Sequence, residues 1–305
     1  MEIDQLRALV SVAARGSLTR AAEELGVTQP AVSIRLKTLE RRLGVRLLDT
    51  SAGKVRLTDA GEVLLAEGKK VLRQLEIAHE AVESVGGLLR GRIAVGASTT
   101  PGIYFVSEVL ARFSLERPGV SVSLRIDNTL RVEEALLGGD LDLGVVGGHL
   151  AGREVASESL GKDRIVLVAP PGHRLARGRP PHLEEVLQQP FVAREPGSAT
   201  RSHFESWLAR QGLAARVVLE VGSPEALKRA VAAGAGLGVV SAMAVRSELR
   251  QGRLTWIRPA GFDLRRDIRL ILRKGGPGSR AVGAVRDRLR ASWPRERASA
   301  SGPDS

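Results

Sequence analysis

A short break in helical periodicity near the amino end constrains the fold of this chain more than any other feature. Residues 24–44 read ELGVTQPAVSIRLKTLERRLG, and the break falls at GVTQ. Gly26 suits the left-handed position just past a helix, Thr28 can cap the next helix, and Pro30 is tolerated in a first turn. With the helical patterns that precede it, the break predicts three short helices, of which the first two cover residues 2–14 and 18–25.

The third predicted helix has an apolar side and a polar side. Its apolar residues recur at spacings of four, three and four and predict one buried stripe, formed by Val32, Leu36, Leu39 and Leu43. Glutamine can pair with adenine, and small or apolar side chains can meet a thymine methyl, so the opposite side suits base edges in a DNA major groove. The alternative is that this helix is amphipathic only because it packs in a three-helix unit.

Two short β-prone runs follow in VRLLDTSAGKVRLTDAG, residues 45–61, and predict a wing-like hairpin able to touch the DNA backbone. Thr28, at the start of the third helix, belongs to the expected DNA contacts. The residues expected at base edges are Gln29, Pro30, Ser33, Ile34 and Lys37. The residues expected at the DNA backbone are Arg35, Arg41, Arg42, Lys54 and Arg56.

This region resembles the DNA-binding region of LysR-type transcriptional regulators. The shared motifs are Thr-Gln-Pro-Ala-Val-Ser at 28–33, Leu-Glu at 39–40 and Leu-Thr-x-Ala-Gly at 57–61. The resemblance implies an all-α winged helix-turn-helix domain over residues 1–58. Two residues depart from the family pattern: Ile34 stands where a basic or polar residue is frequent, and Thr50 where a wing arginine is usual. Fewer phosphate contacts would lower the salt sensitivity of binding, and Ile34 would alter the base preference.

Residues 59–88 predict a long linker helix. Small and apolar residues alternate at spacings of three and four and form a heptad seam, made of Gly61, Leu64, Gly68, Val71, Leu75, Ala78, Val82 and Val85. A two-stranded seam would place two reading helices on one duplex and predicts a two-fold-related site. The alternative is a helix packed on its own domain. The family resemblance implies the dimerisation helix.

From residue 91 the pattern changes to short strand-like runs that alternate with helical stretches. This βα alternation predicts mainly parallel sheets. The resemblance implies an α/β effector domain of the periplasmic-binding type (type 2), built from two subdomains that face each other across a cleft. We expect subdomain I to comprise 89–161 and 266–292 and subdomain II to comprise 162–265. The last residues, 293–305, have no periodicity and predict a flexible tail.

Three helix starts rich in hydroxyl groups follow strand-like runs in this region, in the stretches GASTTP, EPGSATR and VGSPEA. Hydroxyls and free backbone amides at the positive end of a helix suit an anion, although a single Ser or Thr there is more often a cap. Arg201 is expected to supply the counter-charge. The resemblance favours a small inorganic or metabolite anion as effector. The expected effector contacts are Ser98, Thr99, Thr100, Gly148, Gly197, Ser198, Thr200, Arg201 and Ser223.

Composition limits the remaining function classes. The formal net charge of +12 favours a polyanionic partner, and the absence of Cys excludes disulfides and thiolate metal sites. The sequence has no phosphate loop, no GxSxG elbow and no His spacing typical of a metal site, so we expect neither an enzyme nor a cofactor. A solute-binding protein is a second reading of the cleft, but the amino end is too weakly apolar for a secretory signal.

These features predict a cytoplasmic, ligand-responsive regulator of transcription. The expected partners are double-stranded DNA, a small anionic effector and a second copy of the chain in a homodimer or homotetramer. RNA polymerase is a further candidate partner. No membrane partner is expected, because no apolar run approaches the length of a bilayer span.

Overall fold

The computed structural model describes residues 1–49, 55–83, 89–148, 152, 154–275 and 278–294. Contacts divide the chain into a first unit, Met1–Arg90 with Gly138–Asp140, and a second unit, Gly91–Leu137 with Leu141–Ser305. Each unit has its own hydrophobic core, so the two are treated separately below.

The first unit contains the three helices that the sequence predicts. They are α1 (Ile3–Arg15), α2 (Leu18–Leu25) and α3 (Gln29–Leu43). Gly26 ends α2 with φ of 65°, and the Ala31 N–H donates to Thr28 Oγ1 (3.4 Å) to cap α3. The tight turn is therefore confirmed. Val32, Leu36 and Leu39 lie in the core, but Leu43 is 43% exposed, because the last turn of α3 extends past the helices that cover the core.

The predicted wing is a two-stranded antiparallel hairpin. Strand β1 (Leu48–Asp49) pairs with β2 (Arg56–Leu57), and Thr50 and the tip with Lys54 lie outside the described residues. Both Leu47 and Leu48 N–H groups donate to Glu40 Oε1, at 2.8 and 3.2 Å. The carboxylate of Glu40 thus joins the end of α3 to the first strand of the wing, which is a physical reason for an acidic residue at this position.

Helix α4 (Asp59–Glu83) follows the wing, and its amino-terminal half packs on its own unit. Gly61 and Gly68 are buried, and Leu64 contacts the core. A Cβ on Gly61 would lie 2.1 Å from the Leu47 carbonyl oxygen, so only glycine permits this approach. Further along, Val71, Ala78 and Val82 are exposed, and Val85 lies outside the described residues. The first residues of the predicted seam are thus packed within the unit, and pairing of the exposed ones with a second copy stays a prediction.

The second unit is built on a sheet of nine strands. The strand order is β4 (Val120–Asp127), β3 (Gly91–Ser98), β5 (Leu143–Gly147), β11 (Leu264–Arg273), β6 (Val155–Ala169), β9 (Leu237–Ser241), β7 (Pro190–Arg194) and β8 (Arg216–Val221), with β10 (Thr255–Ile257) paired to β6. Pairs among β3, β4 and β5 and among β7, β8 and β9 are parallel, as the alternation predicts. The pairs that β6 and β11 make are antiparallel.

Strands β6 and β11 pair with each other over most of their lengths and connect the two parallel groups of strands. Residues 268–271 of β11 pair with β5, whereas residues 165–168 of β6 pair with β9. The sequence does not predict β10, β11 or the first half of β6, because charged residues interrupt their apolar runs. In β11 the run reads LRRDIRLILR, yet Leu264, Arg266, Ile268 and Leu270 are buried in alternation.

Helices cover both faces of this sheet. They are α5 (Thr99–Pro101), continued by a π-helical turn (Gly102–Val106) into α6 (Ser107–Glu116), then α7 (Thr129–Leu137), α8 (Leu183–Leu187), α9 (Ala199–Ala209), α10 (Pro224–Ala232), α11 (Ala242–Arg250) and α12 (Arg280–Ser292). The expected flexible tail does not begin at Trp293, because the Trp293 ring packs edge-on against Phe105 at 4.7 Å between centroids. Residues 295–305 lie outside the described residues. Within the described ranges, no helix combines the length and the apolar character that a membrane crossing needs.

Replacing Gly61 by alanine tests the close packing of α4 on the wing. The added Cβ would meet the Leu47 carbonyl, a backbone atom held by the core around the Leu47 side chain, so we expect Gly61→Ala to lower the free energy of unfolding by about 2 kcal/mol. Gly283→Ala in α12 is the matched control, since nothing lies within 4 Å of its Cβ and alanine favours a helix by about 1 kcal/mol. Urea unfolding of the full chain measures both, and an unchanged Gly61→Ala variant would contradict the packing.

Candidate functional site

The polar side of α3 lies exposed. Ile34, at the middle of this side, is 64% exposed, which is unusual for a large apolar residue in a domain with its own core. Ser33 is half-buried beside it. The other expected DNA contacts that lie exposed are Thr28, Gln29, Pro30, Lys37, Arg41, Arg42 and Arg56. A hydrophobic side chain without a protein partner is thus surrounded by polar and cationic ones.

Arg35 lies on a different side of α3 from Ile34. Its Nη2 atom lies 3.5 Å from Asp4 Oδ2 at the start of α1, and its side chain is only about a third exposed. At 100° per residue, Arg35 stands about 100° around the helix from Ile34 and near the buried stripe. The structure therefore gives Arg35 a role in joining α1 to α3, whereas Lys37 and Arg41 share the side of Ile34.

A small polar pocket lies in the second unit, between the ends of β3 and β7. Five of the residues expected from the sequence line it together: Ser98, Thr99 and Thr100 after β3, and Ser198 and Thr200 at the start of α9. Five further lining residues were not expected: Asn128, Thr129, Arg194, Ala199 and Arg266. The helix starts at 98–100 and 198–200 thus converge from the two parallel groups of strands.

Hydroxyl groups tie the walls of this pocket to the strand ends. The Gly147 N–H donates to Ser98 Oγ, and Thr129 Oγ1 donates to the Gly147 carbonyl, both at 3.1 Å. Thr99 Oγ1 donates to the Asp127 carbonyl at 3.2 Å and accepts from Arg194 Nη2 at 3.4 Å. The pocket is therefore held in shape before any ligand binds.

Two buried arginines supply positive charge to the pocket. Arg194 donates through Nε and Nη2 to Glu195, at 2.8 and 2.9 Å. Arg266, which is 4% exposed, donates through Nε to Asp163 at 2.9 Å and through Nη1 to Thr200 Oγ1 at 2.8 Å. Its Nη2 atom lies 2.8 Å from the same Asp163 carboxylate, so the guanidinium is paired with one buried anion. Arg194 and Arg266 thus place two buried guanidinium groups beside the hydroxyls of the pocket.

The remaining expected effector contacts lie elsewhere. Arg201, expected to supply the counter-charge, is turned out of the pocket, because its Nε donates to Glu205 and its Nη1 donates to Glu220 and to the Arg194 carbonyl. These carboxylates raise the pKa of Arg201 against the smaller effect of burial. Ser223 accepts the Ala226 N–H at 3.1 Å and serves as the cap of α10. Neither residue lines the pocket.

Gly148 and Gly197 act through their backbone. Both have positive φ, 99° and 88°, and a Cβ on them would approach His203 Cε1 to 2.9 Å and Asn128 Nδ2 to 3.0 Å, respectively. They let the loops close around the pocket, and neither lines its wall in the described chain. A wider groove of about 630 Å³ adjoins the pocket and shares Thr129 and Ala199 with it. Larger parts of a ligand have room there.

A second polar cluster lies on the segment that continues from Thr99 and Thr100. Tyr104, in the π-helical turn, packs against the core under α10 and α11 and donates its hydroxyl hydrogen to Glu225. Lys228, 6% exposed, donates to Glu248 at 2.8 Å and to the Ala244 carbonyl at 2.9 Å, and lies 2.8 Å from Glu225. The Lys228 ammonium also lies 5.4 Å from the centre of the Tyr104 ring. This cluster joins the first parallel group of strands to the second.

The pKa values of the cluster follow from burial and pairing. Burial and the hydrogen bond to Glu225 raise the pKa of Tyr104 to about 12. Burial acts to raise the pKa of Glu248, but the hydrogen bonds from Lys228 and Ser247 outweigh it, so that the pKa lies below its usual value. Glu248 is therefore ionised at neutral pH and pairs with a Lys228 whose own pKa is raised.

Comparison with known proteins accounts for nearly the whole chain. Residues 3–62 match the family model described as "Bacterial regulatory helix-turn-helix protein, lysR family", and residues 86–294 match "LysR substrate binding domain". The RuBisCO operon transcriptional regulator of Allochromatium vinosum is 33% identical over 287 residues, which cover 94% of this chain and 95% of the relative.

Two solved structures are similar as well. A full-length OxyR from Pseudomonas aeruginosa superposes with a TM-score of 0.78 at 24% identity and covers 96% of this chain and 95% of its own, which supports the fold. The regulatory domain of Synechocystis CcmR in complex with 2-PG superposes with a TM-score of 0.63 at 27% identity, covering 67% of this chain and 98% of that domain.

Replacing Lys228 tests whether the second cluster stabilises the fold. Lys228→Met leaves Glu248 partly buried without its cation, and we expect a loss of about 3 kcal/mol in the free energy of unfolding at pH 7. Because the pairing lowers the pKa of Glu248, its contribution is present above pH 4.5 and is lost as the pH falls through the lowered value.

Urea unfolding at pH 7 and pH 4 should therefore show a larger gap between the parent and Lys228→Met at pH 7. The matched control is Lys162→Met, which changes an exposed lysine and should stay within about 0.5 kcal/mol of the parent. A gap that does not narrow at pH 4 would contradict the pairing.

Proposed function

This chain belongs to the LysR family of bacterial transcriptional regulators, and from that premise we propose that a small anion bound beside Arg194 and Arg266 switches its action on DNA. The chain is a ligand-responsive, DNA-binding regulator with a helix-turn-helix region and a two-subdomain effector domain. What its effector is, which residues touch it and what it controls are proposals. The observation that carries them is the pair of buried guanidinium groups, Arg194 and Arg266, in a pocket lined with hydroxyls.

The chemistry of the pocket supports an anion. Buried guanidinium groups beside hydroxyls can give an anionic oxygen charge-assisted hydrogen bonds away from water. Helix α9, eleven residues long, begins at the pocket, and its Ser198 makes no side-chain cap, so that the first amides and the positive helix end remain available. We propose that Ser98, Thr99, Thr100, Ser198 and Thr200 complete the site, with Asn128 and Thr129.

The relatives favour a metabolite over an inorganic ion. One similar regulatory domain was solved in complex with 2-PG, and one relative is a regulator of a RuBisCO operon. We propose that this chain likewise controls an operon of carbon metabolism, and that the effector carries a compact anionic group for the pocket and a short remainder for the adjoining groove of about 630 Å³. A genome-wide map of bound sites, with and without 2-PG, tests this target.

The proposed switch is a change in closure between two subdomains. We assign residues 89–161 and 266–292 to subdomain I and 162–265 to subdomain II, and the pocket takes residues from both. An anion drawn between Thr100 and Arg194 favours the closed arrangement, and the link from Tyr104 to Glu225 follows the same motion because Tyr104 continues the segment of Thr99. We propose no catalytic role for the pocket, and we place the protein in the cytoplasm, where its DNA is.

For DNA reading we propose that the exposed side of α3 enters the major groove. Gln29, Ser33 and Ile34 face base edges in this arrangement, while Arg41, Arg42, Lys54 and Arg56 approach phosphates. Arg35 is a weaker candidate for a DNA contact than these residues, because it forms an ion pair with Asp4. The exposed Val71, Ala78 and Val82 of α4 fit pairing with a second copy in a dimer or tetramer, which would address a two-fold-related site and present a surface to RNA polymerase.

Substitutions of Arg194 on β7 and Arg201 on α9 test the proposed anion site, because only Arg194 lines the polar pocket. Arg194→Gln should weaken binding of 2-PG, or of sulfate or phosphate, at least tenfold, since one charge-assisted hydrogen bond is worth about 1.5–3 kcal/mol. Arg201→Gln is the matched control and should stay within about threefold, because Arg201 faces Glu205 and Glu220. Calorimetry on the full chain measures both. If no anion saturates the parent, or if both variants lose binding alike, the site is wrong.

The exposed Ile34 predicts contact with a thymine methyl. In a site selected from random duplexes, replacing the contacted thymine by uracil should weaken the parent about fourfold, the worth of one methyl group at about 0.8 kcal/mol. Ile34→Ala should lose this sensitivity, and Arg35→Ala should keep it. Fluorescence anisotropy measures the affinities. If the affinity of the parent is unchanged by uracil at every thymine position, the proposed contact of Ile34 with a thymine methyl is wrong.

A further inference from the structure

A second cavity lies between α9 and the floor formed by β7 and β8, outside the polar pocket. Its volume is about 280 Å³, close to twice that of an apolar cavity of about 150 Å³ that binds benzene. Phe191, Phe204 and Leu208 form its inner wall, and all three belong to the buried core of this part of the chain. The space exists because alanines line it where larger residues would fill it: Ala193, Ala209, Ala214 and Ala215.

The cavity is accessible from the outside. Val217 on β8, an edge strand of the sheet, lines it and is 43% exposed, and Ala209 and Ala214 at its rim are exposed too. Apolar floor that stays in contact with water is unfavourable, and a ligand that covers it gains the free energy of burial. The cavity therefore differs from a closed packing defect.

The charges at the rim indicate a neutral ligand. Arg201 and Glu205 line the cavity but pair with each other at 2.8 Å, and Arg201 also holds Glu220. Arg194, the third charged lining residue, is held by Glu195. An anion would find Arg201 already matched by two carboxylates, and an ion of either sign would lose its hydration among aromatic and aliphatic side chains.

From the volume, the apolar wall and the matched charges, we infer that this cavity is a second ligand site that takes a neutral, apolar molecule of the size of a bicyclic aromatic ring. It goes beyond the anion site of the proposed function. Arg194 lines both the cavity and the polar pocket, so the two sites adjoin. The cavity can bind an apolar ligand whether or not an anion occupies the polar pocket.

Indole is the probe, and the full chain is titrated with it in a calorimeter in buffer without phosphate or sulfate. The parent should bind indole saturably with one site per chain. Ala215→Leu places three further carbons at a half-buried position beside Phe191 and should weaken indole at least tenfold. Ala291→Leu makes the same change on an exposed side of α12 and should stay within twofold of the parent.

Two controls show whether a loss of indole binding is local to the cavity. Ala215→Leu should melt within a few degrees of the parent, and it should bind 2-PG with the affinity of the parent. If 2-PG binds neither protein, the proposed anion site is wrong, but the indole result remains valid. No saturation up to the solubility limit of indole overturns the inference. So does a changed mass of Ala215→Leu in sedimentation, which would make the cavity a contact between two copies.

Discussion

The ion pair between Asp163 and Arg266 is the interaction on which the second unit depends. The two residues stand directly opposite each other on β6 and β11, the strands that connect the two parallel groups. Ser241 on β9 donates to the same carboxylate at 2.7 Å, Arg266 reaches Thr200 at the start of α9, and a Cβ on Gly147 of β5 would lie 3.2 Å from the guanidinium. Elements from both sides of the sheet are therefore positioned by one buried pair of charges.

Burying such a pair is costly, and its retention needs a physical reason. An apolar pair of similar volume in the same place would be at least as stable in many proteins. Here the pair holds the Arg266 guanidinium beside a pocket of hydroxyls, where its Nη1 donates to Thr200. The free energy of a bound anion can then be coupled to the arrangement of β6 and β11, which an apolar core could not provide.

Features that depend on neighbouring residues in the sequence were predictable, whereas features that depend on tertiary contacts were not. The turn between α2 and α3 follows from Gly26 and Thr28, which act on their own neighbours, and the βα alternation predicts the parallel pairing of strands. Whether Arg194 or Arg201 faces the pocket is not a local property, because it depends on which side of β7 and α9 meets β3. Arg266 is still harder to find, since it lies in a charged run and its partner Asp163 is about a hundred residues away in sequence.

The two units bring their elements close together by different kinds of contact. In the first unit, Gly61 removes a side chain so that α4 reaches the Leu47 carbonyl, and Glu40 accepts the amides at the start of the wing. In the second, buried cations are brought together with carboxylates and hydroxyls. Backbone packing of the first kind has one stable arrangement, whereas paired charges can exchange partners when a ligand adds another anion. A ligand-driven rearrangement is therefore expected in the unit that holds Arg194 and Arg266, with the packing of helix α4 on the wing unchanged.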